Sequence, residues 1–321
     1  MYFKTVCMLS LYLTPFVILL TVEMPLILAL GMTVLIGIGE AGIGMCVMHD
    51  GAHGSYSSKP WVNKLMASSM FLLGSNTINW KIQHNVSHHT FTNIYNYDPD
   101  ISTKAIIRLC DHAPLKKYQR FQQFYAFPLY GFMTLLRLFD DIGTLVQHNK
   151  AGTTKIMNVN PSMELFKLIV TKVVYLSIII SLPLIFTDFT IWQILIGFIL
   201  MHLTAGMIMS TVFQMAHVVE GAYQPIPKDG VIHNEWMVHQ LKSTSDFGKK
   251  NGLLSWYIGG LDFQVEHHLY PNMCHIHYSA IAPIVEKTAK EYGLAYNSNR
   301  TFLHALKSHF KRLKELGKTK A

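Results

Sequence analysis

Positive charge is missing from two long stretches of this chain: no Lys or Arg occurs between Lys4 and Lys59, nor between Lys172 and Lys228. Four apolar runs lie in or beside these stretches, at residues 6–21, 25–48, 166–186 and 189–213. Each approaches or reaches the about 20 residues that an α-helix needs to cross a bilayer core. In lipid, every backbone N–H and C=O must be paired within the segment, so such runs are read as helices. The first two are separated by a few residues around Glu23 and the second two by Thr187-Asp188. The pattern predicts an all-α integral membrane protein with four spans in two tight hairpins, forming one domain over residues 1–321.

The charge that remains is 14% of residues, against about 25% in an ordinary soluble domain. It comprises 27 Lys+Arg and 19 Asp+Glu, for a net charge of +8. Because basic residues mark the cytosolic side, both hairpin tips are expected to face away from the cytosol. Residues 49–164, residues 215–321 and the N-terminus are then cytosolic. The first run lacks a basic leader and a small-residue cleavage site, and reads as a retained span. Residues 65–78 and 124–139 are too short or too polar to span and read as interfacial or re-entrant helices. Residues 280–321 set Leu303, Leu306, Phe310 and Leu313 among Lys307, Lys311, Arg312 and Lys314. That is an amphipathic helix suited to an anionic membrane surface. With the basic residues allotted to topology and lipid, no nucleic-acid partner is expected. The four cysteines contain no CxxC pair, so neither a disulfide framework nor a thiolate metal site is indicated.

Gly37-Ile-Gly39-Glu-Ala-Gly42 spells GxGxxG, but a dinucleotide site needs a strand before it and a βαβ unit around it. Inside an apolar run, the small residues point instead to close helix packing.

All 17 histidines begin at His49 or later, and eight of them point to metal. His49-Asp-Gly-Ala-His53 follows the second run; residues four apart on a helix share a face, so both rings can grip one ion. His84-Asn-Val-Ser-His88-His89 repeats that spacing and adds a third ring. Gln264-Val-Glu-His267-His268 is the third cluster. An even number of crossings separates the clusters, which places all three on one side of the membrane. His217 ends the fourth run at the same depth. Eight imidazoles exceed what one ion takes and suit two; nitrogen ligands without thiolate fit iron, zinc or copper. Asp50, Asp98, Asp100, Asp262 and Glu266 stand near the clusters and are candidates to fix the ligand rings. Trp80 is a candidate substrate-lining residue. His239, His275 and His277 lie near the third cluster, while His112, His148, His233, His304 and His309 read as surface residues.

The three boxes HDGAH, HNVSHH and QVEHH, with paired spans between the second and third, resemble those of the membrane fatty acid desaturases. The resemblance covers nearly the whole chain. It implies a non-haem centre of two Fe ions, O2 as co-substrate and a long-chain fatty acyl substrate, as acyl-CoA or lipid-linked. Glutamine at Gln264, in place of a first histidine, resembles the front-end type, which places a cis double bond between an existing one and the carboxyl end. Gln264 then occupies a ligand or near-ligand position. The sequence has no HPGG haem motif, so a separate electron donor of ferredoxin or cytochrome b5 type is expected. The likeness is closer to bacterial acyl desaturases, which favours a bacterial inner membrane over the ER membrane, with the active site facing the cytosol. Lys59, Lys81 or Lys249 are candidates for the substrate headgroup or for docking the donor. A related histidine-box hydroxylase or ketolase is the nearest alternative. A zinc-dependent membrane hydrolase or a metal transporter is more remote; a transporter places polar groups deep in its spans, where Glu40 and His202 are the plausible candidates, and Glu40 is expected to hydrogen-bond within the bundle.

Overall fold

The computed structural model describes residues 1–102, 106–249 and 251–318. Its principal helices are α1 (Tyr2–Thr21), α2 (Leu26–His53), α3 (Pro60–Ser68), α4 (Thr77–Lys81), α5 (Gln122–Tyr130) and α6 (Met133–Lys150). They continue with α7 (Pro161–Phe186), α8 (Ile191–His217), α9 (Trp236–Ser243), α10 (Gln264–Leu269), α11 (Tyr278–Glu291) and α12 (Phe302–Leu316). Two short strands, β1 (Asp246–Phe247) and β2 (Ser298–Asn299), pair in parallel. Helices α1, α2, α7 and α8 are long and apolar enough to cross a membrane. All four run past the expected limits at one end, taking Lys4, the His49 to His53 box, Glu164 and His217 onto helical backbone. Polarity ends an apolar run, but it does not interrupt the main-chain hydrogen-bond ladder.

The chain packs as two compact units, one of Met1–Ile82 with Leu129–Ser210 and one of Gln83–Pro128 with Thr211–Ala321. In the first unit the small-residue motif is a packing surface. A Cβ on Gly37 would meet the Met201 carbonyl oxygen of α8 at 2.4 Å, and one on Gly39 would meet the Tyr12 nitrogen of α1 at 2.6 Å. Only glycine allows both backbones to approach this closely. His202 is fully buried, with Nδ1 3.1 Å from the Thr134 hydroxyl and Nε2 3.0 Å from the Tyr175 hydroxyl. Glu40 departs from expectation: it lies 3.7 Å from His202 Nδ1, too far for a hydrogen bond, and neither carboxylate oxygen has a hydrogen-bond partner among the described residues.

Residues 65–78 comprise the end of α3, a 3₁₀ turn at Ser69–Leu73 and the start of α4. Asn76 caps α4, its side chain accepting from the backbone nitrogens of Ile78 and Asn79 and donating to Glu164 Oε2 at 3.1 Å. Such a cap stabilises a helix by about 1 kcal/mol. Asn79 Nδ2 then reaches the Asp141 carbonyl at 3.1 Å, and Asp141 pairs with Lys172 at 3.4 Å. Residues 124–139 are two helices broken at Gly131-Phe132.

In the second unit, α9, α10 and α11 enclose a core of Leu241, Val265, Leu269, Val285 and Ala289. The expected single tail helix is corrected here, because α11 and α12 are separate. Gly293 sits at φ +67° just after α11, and the chain then runs extended so that Asn297 and Asn299 accept from the Asp246 and Gly248 nitrogens. The last residues of the expected helix, 319–321, lie outside the described residues. His309 is corrected too: it is fully buried, and its Nδ1 donates to the Val218 carbonyl at 2.6 Å.

Candidate metal centre

In the first unit, His49 and His53 occupy the last turn of α2, directly after a π-helical segment at Ile43–Met48. Their rings lie edge to face with centroids 4.6 Å apart, and Trp80 of α4 packs edgewise on both at 5.6 and 5.7 Å. Trp80 is therefore a wall against these two rings. Asp50 is buried, with Oδ1 3.8 Å from His49 Nδ1, beyond hydrogen-bond length.

The second unit gathers His84, His88, His89, His217, His267 and His268. The local backbone explains how three of these come from one short segment. On a regular helix His89 points about 100° away from His88, but residues Ile82–His88 form a π-helical turn. A wider turn lets a five-residue spacing share a face. His84 and His89 consequently bring their Nε2 atoms within 3.3 Å, while His84 and His88 stack with centroids 5.3 Å apart. His267 and His268 enter from α10, and His217 from the end of α8.

Four of these rings, His88, His217, His267 and His268, are held by named partners. His88 Nδ1 donates to Asp98 Oδ2 at 3.0 Å, and Asp100 Oδ2 lies 3.7 Å away. Asp98 is fixed in turn, accepting from the backbone nitrogens of Asn93 at 2.9 Å and Asp100 at 3.0 Å. His268 Nδ1 lies 2.8 Å from Gln240 Oε1, and His267 Nδ1 lies 3.2 Å from the Tyr278 hydroxyl. Gln264 Nε2 lies 3.0 Å from His217 Nε2. Asn93, at φ +59°, donates to the carbonyls of His217 and Ser243 at 3.0 and 2.8 Å. Asparagine is among the few side chains that tolerate that backbone.

With their outer nitrogens anchored, the inner ones converge. His89 Nε2 is 3.3 Å from His84 Nε2 and 3.1 Å from His267 Nε2. His89 Nε2 thus faces two other ring nitrogens at once, where a single N–H could serve both only as a weak shared donor. Imidazole nitrogens bound to one ion at about 2.0–2.1 Å sit about 3.0–3.4 Å apart, depending on the coordination angle. Each of His88, His217 and His268 offers a ring nitrogen within 4.8 Å of the others'. His88 Nε2, His217 Nδ1 and His268 Nε2 are buried and lack a hydrogen-bond partner among the described residues. An unsatisfied buried polar atom costs about 1–3 kcal/mol, and a cation among these three would remove that cost. His89, His267 and His268 form a second such group, and His84, His88 and Asp100 a third.

The electrostatics agree with a cation receptor. Burial, reinforced by the neighbouring imidazoles of His89 and His217, lowers the His268 pKa well below the usual histidine value, which keeps the ring neutral and able to bind metal. Burial also pulls His88 down, but the carboxylates of Asp98 and Asp100 outweigh it and leave its pKa raised. A metal binding this imidazole would displace its proton.

Other candidates behave differently. Asp100 accepts from Gln83 Nε2 at 2.6 Å. Glu266, next to His267, turns to the Tyr296 hydroxyl at 2.8 Å, and burial beside Asp246 lifts its pKa to about 9. Asp262 is fully buried. Lys249 is drawn to Asp246 at 3.3 Å and to the Tyr296 ring. His239 is buried with Nε2 2.8 Å from the Thr92 carbonyl, and His275 is buried as well, whereas His277 is exposed. Sequence reasoning missed Gln240, Tyr278, Thr92 and Asn93. Asn93, close behind the second box, carried the one available signal.

The fatty acid desaturase family model matches residues 25–300. The chain is 35% identical over 285 residues to the acyl-lipid (8-3)-desaturase of Physcomitrium patens, covering 88% of this chain and 59% of that one. It is 34% identical to the sn-1 linoleoyl-lipid 6-desaturase of Synechocystis sp., covering 88% of this chain and 79% of that one. The enzyme of the same name from Arthrospira platensis is 32% identical, with coverages of 88% and 76%. The chain thus spans about three-fifths of the moss relative's length and about three-quarters of the two cyanobacterial ones.

Proposed function

The chain belongs to the fatty acid desaturase family, and from that premise we propose that it inserts a cis double bond into a long-chain acyl lipid or acyl-CoA. The reaction uses two non-haem irons, O2 and electrons from a ferredoxin or cytochrome b5 type donor. The observation that carries this reading is the convergence of six imidazoles in one unit, with three buried ring nitrogens lacking hydrogen-bond partners among the described residues. The donor set fits iron: neutral nitrogen ligands, no thiolate, and outer nitrogens held by Asp98, Gln240 and Tyr278. His88, His217 and His268 hold one ion; His84, His89 and His267 serve the other. His49 and His53 are assigned as ligands from their box alone.

When bound, the iron pair supplies, with O2, the oxidant that removes two hydrogens from neighbouring unactivated methylenes, which no side chain can do. The rest of the work belongs to the protein. Asp98 holds the proton on His88 Nδ1 so that Nε2 faces inward, and Gln240 does the same for His268. Burial excludes water, which protects a reactive centre from side reactions. Trp80 walls the first box and leaves an apolar surface beside it.

Two relatives named linoleoyl-lipid 6-desaturase and one named acyl-lipid (8-3)-desaturase support an acyl-lipid substrate with the new bond on the carboxyl side of existing ones. Gln264 beside His217 supports the same front-end type. The reading places the metal face on the cytosolic side of a bacterial inner membrane. The test combines metal analysis of purified protein with defined fatty acids fed to a host lacking desaturases. Two irons per chain and products short of two hydrogens are expected. Zinc in active protein, or products that gain an oxygen atom, would overturn the reading in favour of a hydrolase or a hydroxylase.

A further inference from the structure

The second unit carries an exposed apolar surface that its metal chemistry does not use. Helix α12 buries Ala305, His309, Leu313 and Leu316 in that unit, yet a second edge of the same helix is apolar as well. Leu303 is 72% exposed, and with Leu306, Lys307, Phe310 and Phe127 it lines a shallow groove. The neighbouring segment extends this edge. Phe124 is 65% exposed and meets Phe310 edge to face at 5.6 Å. Phe121 is 51% exposed and lies under the Arg120 guanidinium at 4.6 Å.

The charge beside this surface is mostly basic; farther along α12, Lys311 pairs with Glu220 at 3.5 Å and Arg312 with Asp111. Lys116, Lys117, Arg120 and Lys307 are exposed beside it, and no Asp or Glu occurs between Asp111 and Asp140. The one acid on α12, Glu315, is 3.6 Å from Arg312. The exposed face of α11 in the same unit is different, with Lys287 paired to Glu291 and Lys290 to Glu286, as a solvated face should be.

We propose that the paired edges of α5 and α12 are a membrane-surface foot that seats its aromatic rings among acyl chains and its basic rim on anionic lipid headgroups. Contiguous exposed apolar side chains rimmed by polar ones mark a contact surface. Protein interfaces are depleted in Lys, whereas aromatic rings rimmed by Lys and Arg are the composition of interfacial anchors. The four spanning helices supply the bilayer. The inference does not depend on the reaction or on the metal.

The test places a photo-crosslinker on the full chain in nanodiscs of mixed phosphatidylcholine and phosphatidylglycerol. Leu303→benzoylphenylalanine and Phe124→benzoylphenylalanine are compared with Tyr292→benzoylphenylalanine, an equally exposed position in the same unit beside the ion-paired face of α11. Intact-mass analysis should find lipid adducts about five-fold more abundant at 303 and 124 than at 292, with phosphatidylglycerol over-represented. Combining Lys116→Gln, Lys117→Gln, Arg120→Gln and Lys307→Gln should abolish the phosphatidylglycerol preference and leave adducts at 303 in place. Equal yields at all three positions would overturn the foot, as would capture of an added acidic electron-transfer protein at 303 in place of lipid. Phosphatidylcholine and phosphatidylglycerol taken up in proportion to their abundance would overturn the anionic rim.

Discussion

The histidines of the two units are aimed by different means. His49 and His53 owe their shared direction to helix register: they sit one turn apart at the end of α2, with Trp80 packed on both. The six of the second unit come from three separate segments; a π-helical turn aims His84 and His89, while Asp98, Gln240, Tyr278 and Asn93 hold His88, His268, His267 and the His217 backbone. A box read from local spacing is complete in the first case. In the second, spacing supplies the ligands while partners far away in sequence supply the orientation.

The comparison is broken most severely by removing a ring. His268→Ala should lower product formation at least 100-fold and reduce bound iron, with the protein still inserting in the membrane; product analysis and metal content check both. Full activity in that variant would remove His268 from the ligand set. Removing an orienting partner should cost less. Gln240→Ala leaves every imidazole in place and, combined with Thr92→Val, which removes the hydroxyl 3.3 Å away, frees the outer nitrogen of His268, so iron affinity or turnover of the double variant should fall about 10–100-fold. A loss below two-fold would mean that the second unit is held by register after all. In the first unit, Trp80→Phe keeps an aromatic wall and should cost only a few-fold in turnover, read as kcat and KM separately.

The smallest expected effect concerns acid stability. Burial lowers the His309 pKa from 6.5 to about 4 in the folded chain. The unfolded chain therefore takes up this proton first, and the stabilisation that His309 gives is present above pH 6.5 and lost as pH falls towards 4. His309→Gln keeps a donor for the Val218 carbonyl but does not titrate. Unfolding midpoints measured from pH 7 to pH 4 should fall less steeply in this variant than in the parent. Parallel slopes would show that His309 is solvated, unlike the other buried rings of its unit.

The spans and boxes were legible because each rests on a local rule. Charge-free runs mark helices that cross lipid, and Gly37 and Gly39 inside such a run meant close packing, as their contacts with Met201 and Tyr12 show. Helix ends were less legible, since backbone pairing carries on through Lys4, Glu164 and His217. The tail misled because amphipathic periodicity continues across a break that Gly293 and the β1–β2 pairing impose. His309 looked like a surface residue because its partner, the Val218 carbonyl, is 91 positions away. Glu266 drew attention by standing next to His267, yet it faces Tyr296, 30 positions on. Gln240 and Tyr278 belong to no box, and only tertiary packing gives them their place beside His268 and His267.

The π-helical turn at Ile82–His88 bears on what this chain can tolerate over generations. Such a turn amounts to one extra residue accommodated in a helix without unfolding it. Deleting Gln83 would restore an ordinary helical winding, leave the hydropathy profile and the letters of the box intact, and swing His89 away from His84. A scan of the altered gene would still report an intact motif, while the encoded protein should lose the approach of the His84 and His89 nitrogens. A point substitution at the exposed Val86 is a tolerable change here, and a change of length is the damaging one.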